Sequence, residues 1–216
     1  DTNNSYQDQQ VGDGILGRMN GDFRDEMRGI IEQIQEMNLP FENVELYLYA
    51  LHAKERNEHI AKINKKFPDG GSGMTEADRV EVLKIIRDSG KQEQYDKIVS
   101  QIYAINKRTL QIQLEGGLIT QQDFDNISNY YENYVPLKGH HDNSEHPTVR
   151  TGNHIPITGE IKGRDNEYAL GHGERSTDVL AHVFEQHATA LNRAERNKVY
   201  QTLLRWVEAN PDNEVI

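Results

Sequence analysis

His52, Glu55, Arg56 and His59 crowd one short stretch, "HAKERNEH", of a 216-residue chain. Histidines and a glutamate at i, i+3 and i+7 are types that hold a metal ion or relay protons. At about 100° per residue the four share an arc of roughly 100° with Leu48 and Ile63, so they face a core, not water. Metal sites in helical bundles take Glu and His from facing helices as well. The other helical stretches offer no inward Glu-x-x-His pair, and the pattern H-E-x-x-H is absent. The residues therefore read as a buried polar network, in which His and Arg donate, Glu accepts and a neighbouring backbone is tied down. The alternative is a metal-dependent hydrolase or nuclease that uses His52 and Glu55 together with the His140–His146 loop.

A glycine-rich turn, "PDGGSGMT", follows at once. Such a turn before a helix can cradle an anion. It lacks the Lys-Ser/Thr of a phosphate loop, and a helix precedes it where a dinucleotide fold would have a strand. Asp69, Gly70, Gly71 and Gly73 therefore read as a helix–helix connector that needs positive φ, and they join the polar network. Farther on, "GHHDNSEHP" brings His140, His141 and His146 close to Asp142 and Glu145. The spacing fits no structural zinc pattern, so these are metal candidates only on composition. Tyr130, Tyr131 and Tyr134 cover two helix faces and have one basic neighbour, Lys138, which favours packing over base stacking. Arg193, Arg196, Lys198 and Arg205 form a local basic stretch, the candidate contact for nucleic acid or a partner. No cofactor is implied by any of these patterns.

Helices must position these residues. Phe23, Met27, Ile30, Ile34 and Met37 step by 4, 3, 4 and 3, a helical stripe with Asp22 as its cap and "NLP" as its stop. A second helix is expected from about Glu42 to Lys65. Thr75 opens a third with Asp78 as capping-box partner, and "SGK" ends it. Tyr95, Ile98, Ile102, Ile105, Thr109 and Ile112 define a fourth, closed by "EGG". Thr120 caps a fifth through Phe124, Ile127 and Tyr131, stopped by Pro136. Ser176 or Thr177 caps a last helix reaching Asn210. Its stripe runs through Leu180, Val183, Phe184, His187, Leu191 and Ala194, then shifts face through Val199, Leu203 and Trp206. Residues 137–175 have no helical period and read as one long irregular loop, with a small hairpin over "HIPITGEIKG". The expectation is an all-α domain of about six helices packed as an irregular bundle over residues 22–211, with a linker at 1–21 and a tail at 212–216.

Composition bounds the setting. The formal net charge is −11, which opposes contact between the whole surface and phosphate backbones. There is no cysteine, so disulfides and thiolate chemistry are excluded. No apolar run reaches membrane-spanning length and no secretion signal is visible. A first residue of Asp1 fits a piece of a longer chain.

"LYLYALHAKERNEHIAKIN", "FPDGGSGMT", "YYENYVPLKG" and "LAHVFEQHATALNRAERNKVYQTLLRWVEANP" occur in this order. The combination resembles a helical module of very large polyvalent proteins of phages and plasmids, among them DarB-like antirestriction proteins and giant internal virion proteins. The likeness covers residues 42–75 and 130–211. Its motif features fall on His52, Glu55, Arg56 and Asn57, on Asp69 to Gly73, on Tyr134 to Gly139 and on Arg193 to Asn197. Before the last helix the family pattern has a "GR-S-S" run, where this chain has "GHGERST". The resemblance implies a non-catalytic structural or interaction module. Its partners would be other domains of the same chain, such as helicase, methylase, protease, transglycosylase or polymerase domains, and phage capsid or ejection proteins. Its places would be the virion and the bacterial host cytoplasm.

Overall fold

A computed structural model describes residues 5–136 and 178–209, with side chains from residue 14 onward. Six helices account for most of it: α1 (Ser5–Glu36), α2 (Phe41–Ile63), α3 (Glu76–Asp88), α4 (Gln92–Glu115), α5 (Gln121–Tyr130) and α6 (Val179–Ala209). No strand occurs among the described residues. The domain is all-α, as the periodicity predicts. The expected loop at 137–175, its hairpin, the Ser176/Thr177 cap and the tail at 212–216 lie outside the described residues.

α4 and α6 run against each other at the centre. α1 lies along α6, and α2 carries α3 on one side while reaching α4 and α6. Ile98, Ile102 and Ile105 of α4, Leu48 and Val44 of α2, Ile30 and Ile34 of α1 and Val183 of α6 are almost fully buried together. Each shows the period of about 3.6 residues that puts one stripe of a helix into a core.

The ends are fixed by specific groups. Thr75 and Thr120 each make a reciprocal capping box, with Asp78 and Asp123 respectively. Asn38 at φ 50° turns the chain between α1 and α2, and the Lys91 ammonium donates to the carbonyls of Met37 and Asn38 at 3.1 and 2.9 Å. Glu45, on α2, accepts from the Leu180 N–H at 3.1 Å and so caps the start of α6 from a distant part of the chain.

Three expectations are corrected. Residues 5–21 are not a linker: α1 begins at Ser5. Ile15, Leu16 and Met19 are partly buried, so the apolar stripe extends upstream of Phe23 and outweighs the low helix propensity of Gly14, Gly17 and Gly21. α5 ends at Tyr130, well before Pro136, because Tyr131 turns extended at φ −126° and ψ 110°. The second stripe of α6 is only in part a core face, since Val199 and Trp206 are half-buried but Leu203 is 40% exposed.

Candidate functional site

The corner between α2 and α3 is where polar groups converge. Asn57 is its hub. The Asn57 amide donates to the Met74 carbonyl at 2.8 Å and to Asp69 Oδ1 at 3.3 Å, while its own oxygen accepts from the Ser72 N–H at 2.8 Å. The Tyr49 hydroxyl donates to the Ser72 carbonyl at 2.5 Å. Asp69 accepts from the Gly70 N–H at 2.7 Å and, through both carboxylate oxygens, from the Glu76 N–H at 3.2 and 3.1 Å. Glu76 is the first residue of α3, so the anion seated at this helix start is the chain's own carboxylate.

The glycines serve this geometry. Gly70 and Gly73 take φ of 72° and 95°, values that L side chains rarely adopt. Gly71 has no such φ, but a Cβ there would meet Ile60 Cγ2 at 2.5 Å, so it is needed for close approach to α2.

His52, Glu55, Arg56 and His59 point toward the segment after α5, residues 131–136. Glu55 accepts from the Asn133 N–H and from the Asn133 amide, both at 3.1 Å. Asn106 of α4 holds the same segment by donating to the Tyr134 carbonyl at 2.8 Å. The His52 ring lies 5.1 Å from Tyr131 and 6.0 Å from Tyr134, and His59 lies 5.1 Å from Tyr130. Here the expected network needs correction. His52 is fully buried and neither ring nitrogen has a hydrogen-bond partner among the described residues. Asn133 backbone lies close enough to favour the charged ring slightly, without hydrogen-bond geometry. Arg56 is 8% exposed, its Nε is buried without a partner, and Glu55 is bonded to Asn133 rather than to it. Periodicity correctly places His52 and Arg56 inside, while Glu55 and His59 are half-buried and Ile63, on the same arc, is 50% exposed; it does not reveal which partners the fold brings to them.

Burial shapes the ionisation of the group. It is the main cause that lowers the His52 pKa to about 3, with the Arg56 charge adding to it. Burial also lowers Arg56, while the nearby hydroxyls of Tyr131, Tyr134 and Tyr49 act in the opposite sense. Tyr131 and Tyr134 are pushed up by burial, and His59 is pushed down by it. A second buried histidine, His187, stacks on Phe23 with ring centroids 4.0 Å apart. Its Nδ1 lies 2.7 Å from the Thr109 hydroxyl, which donates its own proton to the Ile105 carbonyl at 2.8 Å. Thr109 must then accept, so the neutral ring carries its proton on Nδ1.

His187 makes a pH prediction. Burial, and secondarily Arg108, hold its pKa near 4, with Glu26 acting in the opposite sense. The unfolded chain takes up this proton near 6.5. The unfolded state therefore binds more protons below that value, and the contribution to stability present above pH 6.5 is lost as pH falls toward about 4. Urea midpoints of wild type are expected to drop over this window, and those of His187→Gln to drop less. Parallel curves would remove His187 as the cause.

The basic candidates do not converge. At about 100° per residue Arg193 and Arg196 lie on one side of α6, and Lys198 and Arg205 on nearly the opposite side. Lys198 also pairs with Glu195 at 2.6 Å. Among the described residues no three His, Asp or Glu side chains gather as metal ligands. His140, His141 and His146 lie outside those residues. Sequence reasoning missed Tyr49, Ser72 and Asn133 as partners of the corner. Neither Tyr49 nor Ser72 stands out by type or spacing, since only the return of the chain from the glycine turn brings them together. No protein-family model, curated protein or solved structure matches the chain.

Proposed function

We propose that this chain is a non-catalytic helical module of a large phage or mobile-element protein, serving structure, packaging or protein interaction. The observation that supports this most is how the polar corner is used. Asn57, Asp69, Ser72 and Tyr49 direct their hydrogen bonds to each other and to the backbone of one turn. Groups engaged in this way hold two helices at a fixed angle and are not poised to exchange protons with a substrate. The setting rests on the resemblance of the four sequence segments to the polyvalent-protein module, and the combination of corner and segments favours a delivered virion or antirestriction protein.

The open reading frame that encodes the chain tests the setting. Helicase, methylase, protease or polymerase segments in the same frame are expected; a frame that encodes this chain alone overturns the reading. Elemental analysis of protein purified without a polyhistidine tag tests the non-catalytic part, and stoichiometric bound metal would overturn it in favour of a metal-dependent hydrolase.

A further inference from the structure

The buried group that the corner does not use is Arg56 with His52. The two sit at i and i+4 on one face of α2, so they are neighbours on successive turns. Arg56 is over nine-tenths buried, and its Nε is buried without a hydrogen-bond partner among the described residues. His52 is wholly buried with two orphaned nitrogens. The rings of Tyr131 and Tyr134 border His52, and the hydroxyls of Tyr131, Tyr134 and Tyr49 lie near enough to influence the guanidinium. The adjacent carboxylate, Glu55, has both oxygens engaged by Asn133. A guanidinium held this way without an anion is strongly destabilising, and a planar fork of donors suits an oxygen anion.

We propose that Arg56 and His52 form a binding site for an oxyanion, a carboxylate or a phosphate group, at the place where α2 meets residues 131–136. The guanidinium supplies the charge and the paired N–H donors, and a ring nitrogen of His52 supplies a further donor. Tyr131 and Tyr134 wall the site and keep water from competing, which strengthens each charge-assisted bond. This goes beyond the reading as a structural module, because it gives the module a ligand. The net charge of −11 disfavours a long polyanion across the surface, so a single anionic group is the fitting guest.

The test titrates inorganic phosphate and, separately, acetate into the full chain at constant ionic strength in chloride. The readout is the Nε–H resonance of Arg56, assigned by its loss in Arg56→Lys. Saturable displacement by either anion is expected, and the one that binds more tightly tells phosphate from carboxylate. Arg56→Lys keeps the charge but loses the fork, and is expected to weaken binding by roughly tenfold, read as a thermal shift. In chloride alone Arg56→Met is expected to melt no lower than wild type, because it removes an unpaired buried charge, and to gain nothing from phosphate or acetate. An unmoved resonance overturns the proposal. So does an equal thermal gain in Arg56→Met, which would mark a general salt effect. If Arg56→Met fails to fold, the wild-type resonance decides: a carboxylate of the chain's own that already holds Arg56 leaves it unresponsive, and the proposal falls.

Discussion

Asn57→Ala is expected to lower the stability of the domain by about 3 kcal/mol, more than any other single polar truncation at the α2–α3 corner. The side chain makes three hydrogen bonds, two of them at 2.8 Å, and it is 7% exposed. Alanine leaves the Ser72 N–H buried without a partner and the Met74 carbonyl with only the longer bond from the Ser72 hydroxyl at 3.2 Å. Ser72 is fully buried and Met74 is 3% exposed, so water does not readily replace the lost amide. Each such orphaned group costs about 1–3 kcal/mol, whereas a lost bond at the surface costs far less. In a domain of this size a change of 3 kcal/mol shifts Tm by roughly 6–12 °C. Asn57→Asp is the informative partner. It keeps the acceptor for Ser72, loses the donor to Met74 and sets a carboxylate against Asp69. It is therefore expected to melt no higher than the alanine variant, and raising the salt concentration is expected to narrow the gap. Thermal melts monitored by circular dichroism suffice. A loss under about 1 kcal/mol for Asn57→Ala would mean that the turn holds its shape without this hub.

The contrast between Asn57 and its neighbours explains what the sequence makes legible. Burial of His52 and Arg56 follows from the helical period, because the position of a side chain around α2 is set locally. The capping boxes at Thr75 and Thr120 are legible for the same reason, since both partners lie within one turn. The stripe of α4 is local too, and Tyr95, Ile98, Ile102 and Ile105 are all buried. Asn57 acquires its role only when the chain returns through Gly70 and Gly73 and presents Ser72 and Met74 to it. Glu45 capping α6 and Glu55 holding Asn133 join residues more than seventy positions apart, and no local pattern marks them. α1 illustrates the opposite failure. Its glycines argue for a linker, yet they leave the stripe of Ile15, Leu16 and Met19 intact, and packing of α1 along α6 overrides propensity. The two buried histidines differ for a similar reason. His187 meets Thr109 across the α4–α6 contact and is satisfied on one nitrogen, whereas His52 meets rings and no acceptor.

Gly116→Ala is expected to be the most damaging methyl group that can be added to this domain, costing about 3 kcal/mol or preventing folding. Gly116 follows α4 with φ of −78°, so its backbone conformation alone does not demand glycine. Space does. A Cβ there would lie 2.7 Å from the Ala194 Cα and 3.0 Å from the Ile112 carbonyl oxygen, and closer still to the Ala194 Cβ. These are backbone atoms and a short side chain, at the C-terminal end of α4 and in the middle of α6, so no flexible group can swing aside. Overpacking of this kind costs about 1–3 kcal/mol when the core relaxes and more when it cannot. The same approach lets Asn197, 2% exposed, donate to the Gly116 carbonyl at 2.6 Å, and separating the helices breaks that bond as well. Gly117 gives the comparison. It has φ of 67°, but a Cβ there meets only the ends of the Gln201 and Asn197 side chains. Gly117→Ala is therefore expected to cost about 1 kcal/mol, the price of a left-handed residue alone. Ala194→Gly separates the two causes. Combined with Gly116→Ala it removes the nearest clash but leaves the Ala194 Cα and the Ile112 oxygen in place, so rescue is expected to be partial. A double-mutant cycle on urea midpoints measures this, with a favourable coupling above about 0.5 kcal/mol expected. Full additivity would show that α4 and α6 do not touch at Gly116 and Ala194, and the central contact of the bundle would have to be placed elsewhere along the two helices.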